Sequence, residues 1–427
     1  MSSKTKSPSS VIHRLPILLA LALGFTLLGT TPFFTSGGTP PSPGPSVSPS
    51  PLPSRAALER SRIDAMLRTG HADPAWFSAS ILAQLPASQV DDAIAQIAAA
   101  FGAYRNLEYA APNFVAHFAK GAVNVQIHLD SENKIDSLLF KPRAATTSSL
   151  EDALRRLQPA RGTLSYVIVV DGRSERAALN ASASLAVGSA FKLAVLNALA
   201  DQVTARVRHW SDVVLLRSQW KSFPSGVLQT WPDGTPITLA SYATEMISIS
   251  DNTAADALIR IVGADGLKPY ADRNIPFLTT REMVILKSSP NPGMRAAYLA
   301  ANTPAARVAV LKRVDALPLP AIDEFLTSPE LGVEWFFSVR RLCDLMRGVA
   351  DLPLMSINPG VADPAAFRRV AYKGGSDIGV LNLTTMVTTK RGTQICFSAT
   401  VNDAAKPIDE AVFELAYTAV LSYVAAW

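Results

Sequence analysis

Ser189 and Lys192 stand three positions apart just after Gly188, and this pair could supply a nucleophile and its base. A serine hydroxyl is a poor nucleophile until a nearby base takes its proton. The segment from Ser189 to about Ala200 has no Gly or Pro and is rich in Ala and Leu, which favours a helix. Residues three apart share a helix face, so the spacing predicts that the Lys192 amine lies beside the Ser189 hydroxyl.

A second lysine could supply a cation that favours this chemistry at neutral pH. A lysine is a usable base only if burial or a neighbouring cation lowers its pKa. Lys373, which opens the triplet Lys373-Gly374-Gly375 at the end of a predicted strand, is the cation that we expect there. Between these two motifs lies Ser250-Asp251-Asn252, in a gap between two predicted helices where such residues are also common caps.

The three motifs, in this order, resemble the S-x-x-K, S-D-N and K-T-G set of class A β-lactamases and penicillin-binding proteins. The resemblance implies that Ser250 passes a proton to the leaving group and that the Asn252 amide holds a substrate carbonyl. It also implies an oxyanion hole made of the backbone N–H groups of Ser189 and Ser376. Gly375 would let the substrate lie along the strand edge.

The sequence departs from the class A pattern at the residue that hydrolyses the acyl-enzyme. The family's E-x-x-L-N stretch, whose glutamate activates water, is not found here. Glu282 follows Ser250 at roughly the right distance and is the candidate deacylation base. K-G-G replaces K-T-G, and Ser376 is a partial substitute for the missing hydroxyl. We therefore expect acylation to proceed and deacylation to be slow.

The C-terminal part of the chain predicts the sheet that would carry Lys373. A strand ending at Lys373 is followed by strands at Ile378–Thr389 and Thr393–Val401 and then by a helical segment. Upstream, Thr163–Ser182 is typical of a strand hairpin. With the resemblance, this predicts an α/β (α+β) β-lactamase-like fold over residues 146–427, with an antiparallel sheet flanked by helices.

Residues 55–145 predict a separate small α+β domain. Helical segments come first, and four alternating segments follow, at Arg105–Ala110, Phe114–Lys120, Val123–Leu129 and Lys134–Phe140. Helices before a curved antiparallel sheet resemble the cystatin-like or ketosteroid-isomerase-like fold. Its pairing with a β-lactamase-like domain resembles the two-domain serine hydrolase of the clavulanic-acid gene cluster. No carboxylate stands out for catalysis, so we expect an accessory packing or recognition domain.

The N-terminal residues indicate export. Residues 1–34 carry three basic residues and no acid, followed by an apolar stretch whose length lies between a signal-peptide core and a membrane anchor. Residues 35–54 are rich in Pro and Ser and favour an extended spacer. We expect a periplasmic or extracellular protein, or one anchored to the membrane by this segment alone.

Charge and composition exclude several functional classes. The formal net charge is +5, of which the first 34 residues supply three, and this modest excess argues against nucleic-acid binding. Of five histidines only His209 lies in the presumed catalytic half, so a Ser-His-Asp triad is not expected. The sequence predicts no metal site and no cofactor. We expect a monomer that acts on a small β-lactam or other acyl substrate, with peptidoglycan as a further candidate.

Two cysteines are present, Cys343 on a predicted helix and Cys396 on a predicted strand. An exported chain permits a disulfide, but the spacing alone does not show one. The interpretation favoured here is two buried free thiols.

Three functions fit these residues. The first is a serine hydrolase that opens β-lactam amides through an acyl-enzyme on Ser189, with Lys192 as base. The second is a penicillin-binding-protein-like D,D-peptidase or esterase with slow deacylation. The third is a non-catalytic wall-binding protein, which would have no physical need of Lys192.

Overall fold

The computed structural model describes residues 54–82, 87–119, 121–143, 147–158 and 161–427. The predicted signal or anchor segment and nearly all of the predicted spacer lie outside these residues. The chain divides into two compact units at the boundary between Ala145 and Thr146. In the described ranges, no helix has both the length and the apolar character needed to cross a bilayer.

The first unit contains helices followed by an antiparallel sheet. Its described helices and strands are α1 (Ser54–Thr69), α2 (Ala79–Leu82), α3 (Ala87–Phe101), β1 (Tyr104–Ala110), β2 (Asn113–Phe118), β3 (Gly121–Leu129) and β4 (Ile135–Arg143). The strands pair in the order β1-β2-β3-β4. Alternating side chains such as Val123 and Val125 are fully buried, which explains why these segments are strands. The predicted order of helices and then four strands is found, and the resemblance to cystatin-like folds stays a prediction.

The second unit contains nine described strands. These are β5 (Thr163–Val170), β6 (Ser174–Leu179), β7 (Leu185–Ala186), β8 (Val213–Leu215), β9 (Pro236–Thr238), β10 (Phe336–Phe337), β11 (Phe367–Asp377), β12 (Val380–Thr389) and β13 (Gln394–Asn402). Among the described residues, five of them form one antiparallel sheet in the order β11-β12-β13-β5-β6. The C-terminal meander is therefore joined to the first hairpin of the unit through the pairing of β13 with β5.

Helices cover both faces of this sheet. They are α4 (Leu150–Arg155), α5 (Lys192–Thr204), α6 (Leu239–Ser248), α7 (Asn252–Leu267), α8 (Thr280–Leu286), α9 (Pro292–Ala300), α10 (Pro304–Val314), α11 (Val339–Val349) and α12 (Glu410–Val424). An antiparallel sheet flanked by helices is the fold that the sequence predicts for this region, and the prediction is confirmed.

The alternation of side chains along the strands separates two apolar cores. On β5, Ile168 and Val170 pack in one core with residues of α4 and α12. Val167, the residue before Ile168, points to the opposite face and packs in the other core with α5, α6, α7, α8 and α11. On β11 the same alternation turns Ala371 toward the second core and Val370 toward the first. Lys373 and Gly375 keep the parity of Ala371, so they face the α5 side.

The helix predicted from Ser189 begins later than expected. Gly188–Phe191 forms a turn of 3₁₀ helix, and α5 begins only at Lys192. Gly188 has a φ of 50°, in the left-handed region that favours glycine, so the chain turns sharply just before the serine.

The prediction of two free thiols is wrong. Cys343 on α11 and Cys396 on β13 form a disulfide with a Cα–Cα distance of 5.8 Å. Both side chains are buried in the core between the helices and the sheet. The alternation that turns Cys396 toward this core places it opposite α11, and the sequence spacing could not reveal that contact.

Candidate active site

The Lys192 amine lies within hydrogen-bond distance of the Ser189 hydroxyl, at 3.2 Å. The same Nζ donates to the backbone oxygen of Ser250 at 2.5 Å and to Asn252 Oδ1 at 2.7 Å. Neither of these two oxygens can donate a proton, so together they take both N–H bonds of a neutral amine. The nitrogen lone pair is then left for a hydroxyl proton, as a general base requires.

The electrostatic setting favours that neutral amine. Burial and then the nearby charge of Lys373 lower the pKa of Lys192 well below its ordinary value. The Lys192 side chain is fully buried. Burial also lowers the pKa of Lys373, to about 7. Two lysines placed this close together repel each other when both are protonated, which favours the neutral, proton-accepting form of Lys192.

The Ser250 hydroxyl lies between the two lysines. Its Oγ is 3.0 Å from Lys192 Nζ and 3.1 Å from Lys373 Nζ. Ser250 has a φ of 59°, a left-handed conformation that costs a non-glycine residue roughly 1–3 kcal/mol. Ser225 helps to hold it, because its hydroxyl donates to the Ser250 carbonyl oxygen at 2.7 Å. This strain places a second hydroxyl where it can relay a proton.

Asp251 shapes the turn that carries Ser250. Its fully buried carboxylate accepts the N–H of Ala254 at 2.8 Å and so caps α7. The other carboxylate oxygen accepts the N–H groups of Val227 and Leu228, at 2.6 and 2.9 Å. Asp251 therefore ties this turn to the preceding loop and does not face Ser189.

The strand edge at Gly375 lies directly against the nucleophile turn. A Cβ placed on Gly375 would be 2.5 Å from the backbone nitrogen of Ala190 and would also collide with that of Ser189. A Cβ on Gly188 would be 2.9 Å from the backbone nitrogen of Ser376. The backbone of Ser376 thus lies beside the turn of Ser189, as an oxyanion hole built from these two residues requires.

Asn252 completes the group. Its side chain is 4% exposed, and its Nδ2 donates to the Phe223 carbonyl oxygen at 3.0 Å. Its Oδ1 is therefore fixed toward Lys192. The structure brings together the predicted residues Ser189, Lys192, Ser250, Asn252, Lys373, Gly375 and Ser376.

Glu282, the candidate deacylation base, serves another purpose. Its carboxylate accepts the Thr279 N–H at 2.7 Å while Thr279 Oγ1 accepts the Glu282 N–H at 3.1 Å, a capping box at the start of α8. Arg260 lies 3.5 Å from the same carboxylate. Burial raises the pKa of Glu282. None of its described hydrogen bonds or ion pairs reaches Ser189 or Lys192.

Asp256 is a residue near the site that the motifs did not reveal. It is 2% exposed, and its carboxylate accepts the N–H groups of Thr280 and Arg281 at 2.6 and 2.8 Å. Burial raises its pKa to about 7. Thr280 in turn donates its hydroxyl to the Asn252 carbonyl oxygen at 3.2 Å. The position of Asp256 one helical turn after Asn252 is the signal that could have indicated it.

The histidines of the described residues lie beside carboxylates. His117 and His128, on β2 and β3, pair with Glu108 and Asp136 at 2.9 and 2.6 Å. His209 lies 3.5 Å from the Asp212 carboxylate on an exposed turn.

Residues 148–315 match the model of a family described as the "Beta-lactamase enzyme family". This span, which is less than half of the chain, is similar to that family. It contains Ser189, Lys192, Ser250 and Asn252 and ends before Lys373. Together with the fold and the geometry around Ser189, the match supports the expectation of a β-lactamase-like serine hydrolase.

Several solved structures are similar to this chain at low sequence identity. A β-lactamase from Sphaerobacter thermophilus DSM 20745 is 21% identical, with 64% of this chain and 94% of that chain covered and a TM-score of 0.44. PBP-A is 18% identical, with 67% and 98% covered and a TM-score of 0.43. A β-lactamase from Chitinophaga pinensis DSM 2588 is 16% identical, with 65% and 97% covered and a TM-score of 0.46. No curated protein matches the chain.

Proposed function

We propose that the chain is a serine acyl hydrolase that reacts with β-lactam amides, or with related activated acyl groups, through an acyl-enzyme on Ser189. The observation that carries this proposal is the position of Lys192 Nζ. It is buried, lies 3.2 Å from Ser189 Oγ, and has both N–H bonds of its neutral form directed to fixed oxygens. A structural lysine would have no such need of a free lone pair.

In the acylation step, Lys192 Nζ takes the hydroxyl proton of Ser189, and Oγ attacks the substrate carbonyl carbon. The negative charge that develops on the carbonyl oxygen is stabilised by the N–H groups of Ser189 and Ser376, a contribution of roughly 3–4 kcal/mol per donor. The proton then reaches the leaving nitrogen or oxygen through the Ser250 hydroxyl, which contacts both Lys192 and Lys373. The bond to the leaving group breaks, and the acyl-enzyme remains.

Deacylation lacks an evident base. Within the described residues, no carboxylate is hydrogen-bonded to Ser189 or Lys192, and Glu282 is committed to Thr279. This placement favours the second candidate, a penicillin-binding-protein-like D,D-peptidase or an esterase in which a β-lactam adduct persists. We therefore propose fast acylation and slow hydrolysis as the kinetic signature of the chain with β-lactams.

The test is the intact mass of the full chain, followed over time after mixing with a penicillin, with Ser189→Ala as control. An adduct on Ser189 that persists supports the penicillin-binding or esterase candidate, whereas one that forms and clears supports a β-lactamase. If no adduct forms and the parent behaves like Ser189→Ala, the hydrolase proposal is wrong and the wall-binding alternative takes its place.

We further propose that the protein works outside the cytoplasm, with the first unit as an accessory domain. The disulfide between Cys343 and Cys396 supports this, because such bonds persist in oxidising compartments. Non-reducing and reducing gels of the protein recovered from the cell envelope test it: an oxidised chain in that fraction is the expected result, and a reduced cytoplasmic chain would contradict it.

A further inference from the structure

A buried cluster of three charged side chains lies outside the catalytic group. Lys287, at the end of α8, is 2% exposed. Its Nζ is 2.8 Å from Glu334 Oε1 and 2.5 Å from Asp377 Oδ2. Glu334 is likewise buried, and the Asp377 side chain is 11% exposed. Buried charges of this kind are costly unless they are paired and balanced, so the cluster needs a reason to exist.

A proton shared by the two carboxyl groups would complete the hydrogen bonding of the cluster. Among the described residues, Glu334 Oε2 is buried and has no hydrogen-bond partner if the group is a carboxylate, which can only accept hydrogen bonds. A proton on Glu334 removes this defect, because the hydroxyl then donates to the neighbouring Asp377. Burial raises the pKa of Glu334 to about 8, in agreement with this protonated form. Lys287 and Asp377 then balance each other, and the cluster is neutral.

Asp377 connects the cluster to β11, the strand that carries the Ser376 N–H. Asp377 is the last residue of β11 and directly follows Ser376. Its Oδ2 is held by Lys287, and its Oδ1 accepts the N–H of Ile378 at 2.7 Å. The position of the strand end that carries the Ser376 N–H is therefore set by Asp377.

Glu334 connects the cluster to the 3₁₀ turn that carries Ser189. Glu334 directly precedes Trp335, whose carbonyl oxygen accepts the Val187 N–H at 3.0 Å. The Trp335 ring is stacked on Phe191, with centroids 3.9 Å apart and planes at 18°. Phe191 belongs to the same 3₁₀ turn as Ser189. Glu334 is thus connected, through Trp335, to the backbone of Val187 before the nucleophile and to the ring of Phe191 after it.

We propose that Lys287, Glu334 and Asp377 are positioning residues that hold the two N–H donors of the oxyanion hole, Ser189 and Ser376, at the correct separation. The inference rests on the proposed function, since it assigns those donors to an acyl carbonyl. In this proposal, the hydrogen bond between Glu334 and Asp377 connects β11 to the turn that carries Ser189.

The experiment compares Glu334→Gln with Glu334→Leu. Both are uncharged like the protonated acid, so neither leaves a net buried charge, but only glutamine can still donate to Asp377. Glu175→Gln breaks an exposed ion pair with Arg340. It is the control for the loss of a carboxylate that does not belong to the cluster. Three quantities are measured: the acylation rate constant with a penicillin, the infrared stretch of the acyl-enzyme carbonyl, and amide hydrogen exchange of residues 372–379 in the free protein.

We expect Glu334→Leu to acylate roughly tenfold to a hundredfold more slowly, since a donor is displaced rather than removed. Its carbonyl stretch should move to higher frequency, and residues 372–379 should exchange faster. Glu334→Gln and Glu175→Gln should resemble the parent. A parent-like stretch and parent-like exchange in Glu334→Leu would overturn the inference while leaving the proposed function intact.

The two proposals fail separately. If the parent forms no adduct, the proposed function is wrong, and the exchange comparison alone decides whether the cluster positions this strand end. Equal exchange in Glu334→Leu and Glu334→Gln then contradicts the inference, and faster exchange in Glu334→Leu alone supports it. Lys287→Met, which leaves Asp377 unpaired, should show the larger exchange effect if it folds.

Discussion

At the scale of single residues, the central feature of the site is a buried lysine, Lys192, whose surroundings oppose its positive charge. Burial and a second lysine oppose the charge on Lys192, and fixed oxygens orient its remaining N–H bonds. The proximity of Ser189, Lys192, Ser250, Asn252 and Lys373 could be predicted from the sequence, because three short motifs contain them. The supporting roles of Asp256 and Trp335 could not, because each acts through a contact between distant parts of the chain.

Removing the base should abolish acylation without unfolding the protein. We expect Lys192→Met to lower the acylation rate constant by about 10²–10⁴-fold, the usual contribution of a general base. The measurement is adduct formation by mass spectrometry, with circular dichroism as a check of folding. Lys312→Met, at an exposed lysine of α10, is the matched control and should acylate normally. Normal acylation by Lys192→Met would contradict the assigned role.

The pH profile should report the second lysine. The pKa of Lys373 is lowered to about 7 by burial, so its positive charge is present below that pH and is lost as the pH rises through it. We expect acylation to decline above about pH 7 as this charge disappears beside Ser250. In Lys373→Arg the charge persists, because arginine does not deprotonate, and the alkaline decline should move upward. Rate constants between pH 5 and 10 test this, and an unshifted decline in the variant would refute it.

At the scale of elements, close contact between β11 and the turn before α5 creates the site. The strands were predictable because their apolar residues alternate, as on β5 and β13. The 3₁₀ turn at Gly188–Phe191 was not, because the sequence from Ser189 has strong helical propensity. The turn is imposed by the approach of the strand edge at Gly375, a tertiary contact that overrides local preference.

A single methyl group at this contact should disable the site. In Gly375→Ala the new Cβ would meet the backbone of Ala190 at 2.5 Å, so either the strand or the turn must move. We expect acylation to fall at least tenfold and the free energy of unfolding to drop by about 1–3 kcal/mol, as for other overpacked positions.

The matched control is Gly293→Ala in α9, where an added Cβ meets nothing within 4 Å. Acylation kinetics and urea unfolding of both variants provide the measurement. Equal behaviour of the two variants would show that the contact at Gly375 is not essential.

At the scale of the whole molecule, the disulfide joins the helical layer to the centre of the sheet. Cys343 and Cys396 are 53 positions apart, and a cross-link over such a loop restricts the unfolded chain by roughly 4 kcal/mol in the chain-entropy account. We expect Cys343→Ser/Cys396→Ser to unfold at a lower urea concentration, with a free energy of unfolding that is lower by an amount close to this. The parent unfolded with reductant should match the double variant. An unchanged midpoint in both would indicate that the bond contributes little to stability.

The pairing of β13 with β5 has a consequence for the order in which the protein matures. A ribosome makes β5 early, yet the partner that fills its open edge is among the last strands synthesised. Lys373 and the strand that bears it also come late. The hairpin of β5 and β6 must therefore wait for most of the chain, and pairing across such a separation is slow. An incomplete polypeptide that lacks β11 is thus without Lys373 and the Ser376 N–H, so Ser189 gains its full surroundings only late in synthesis.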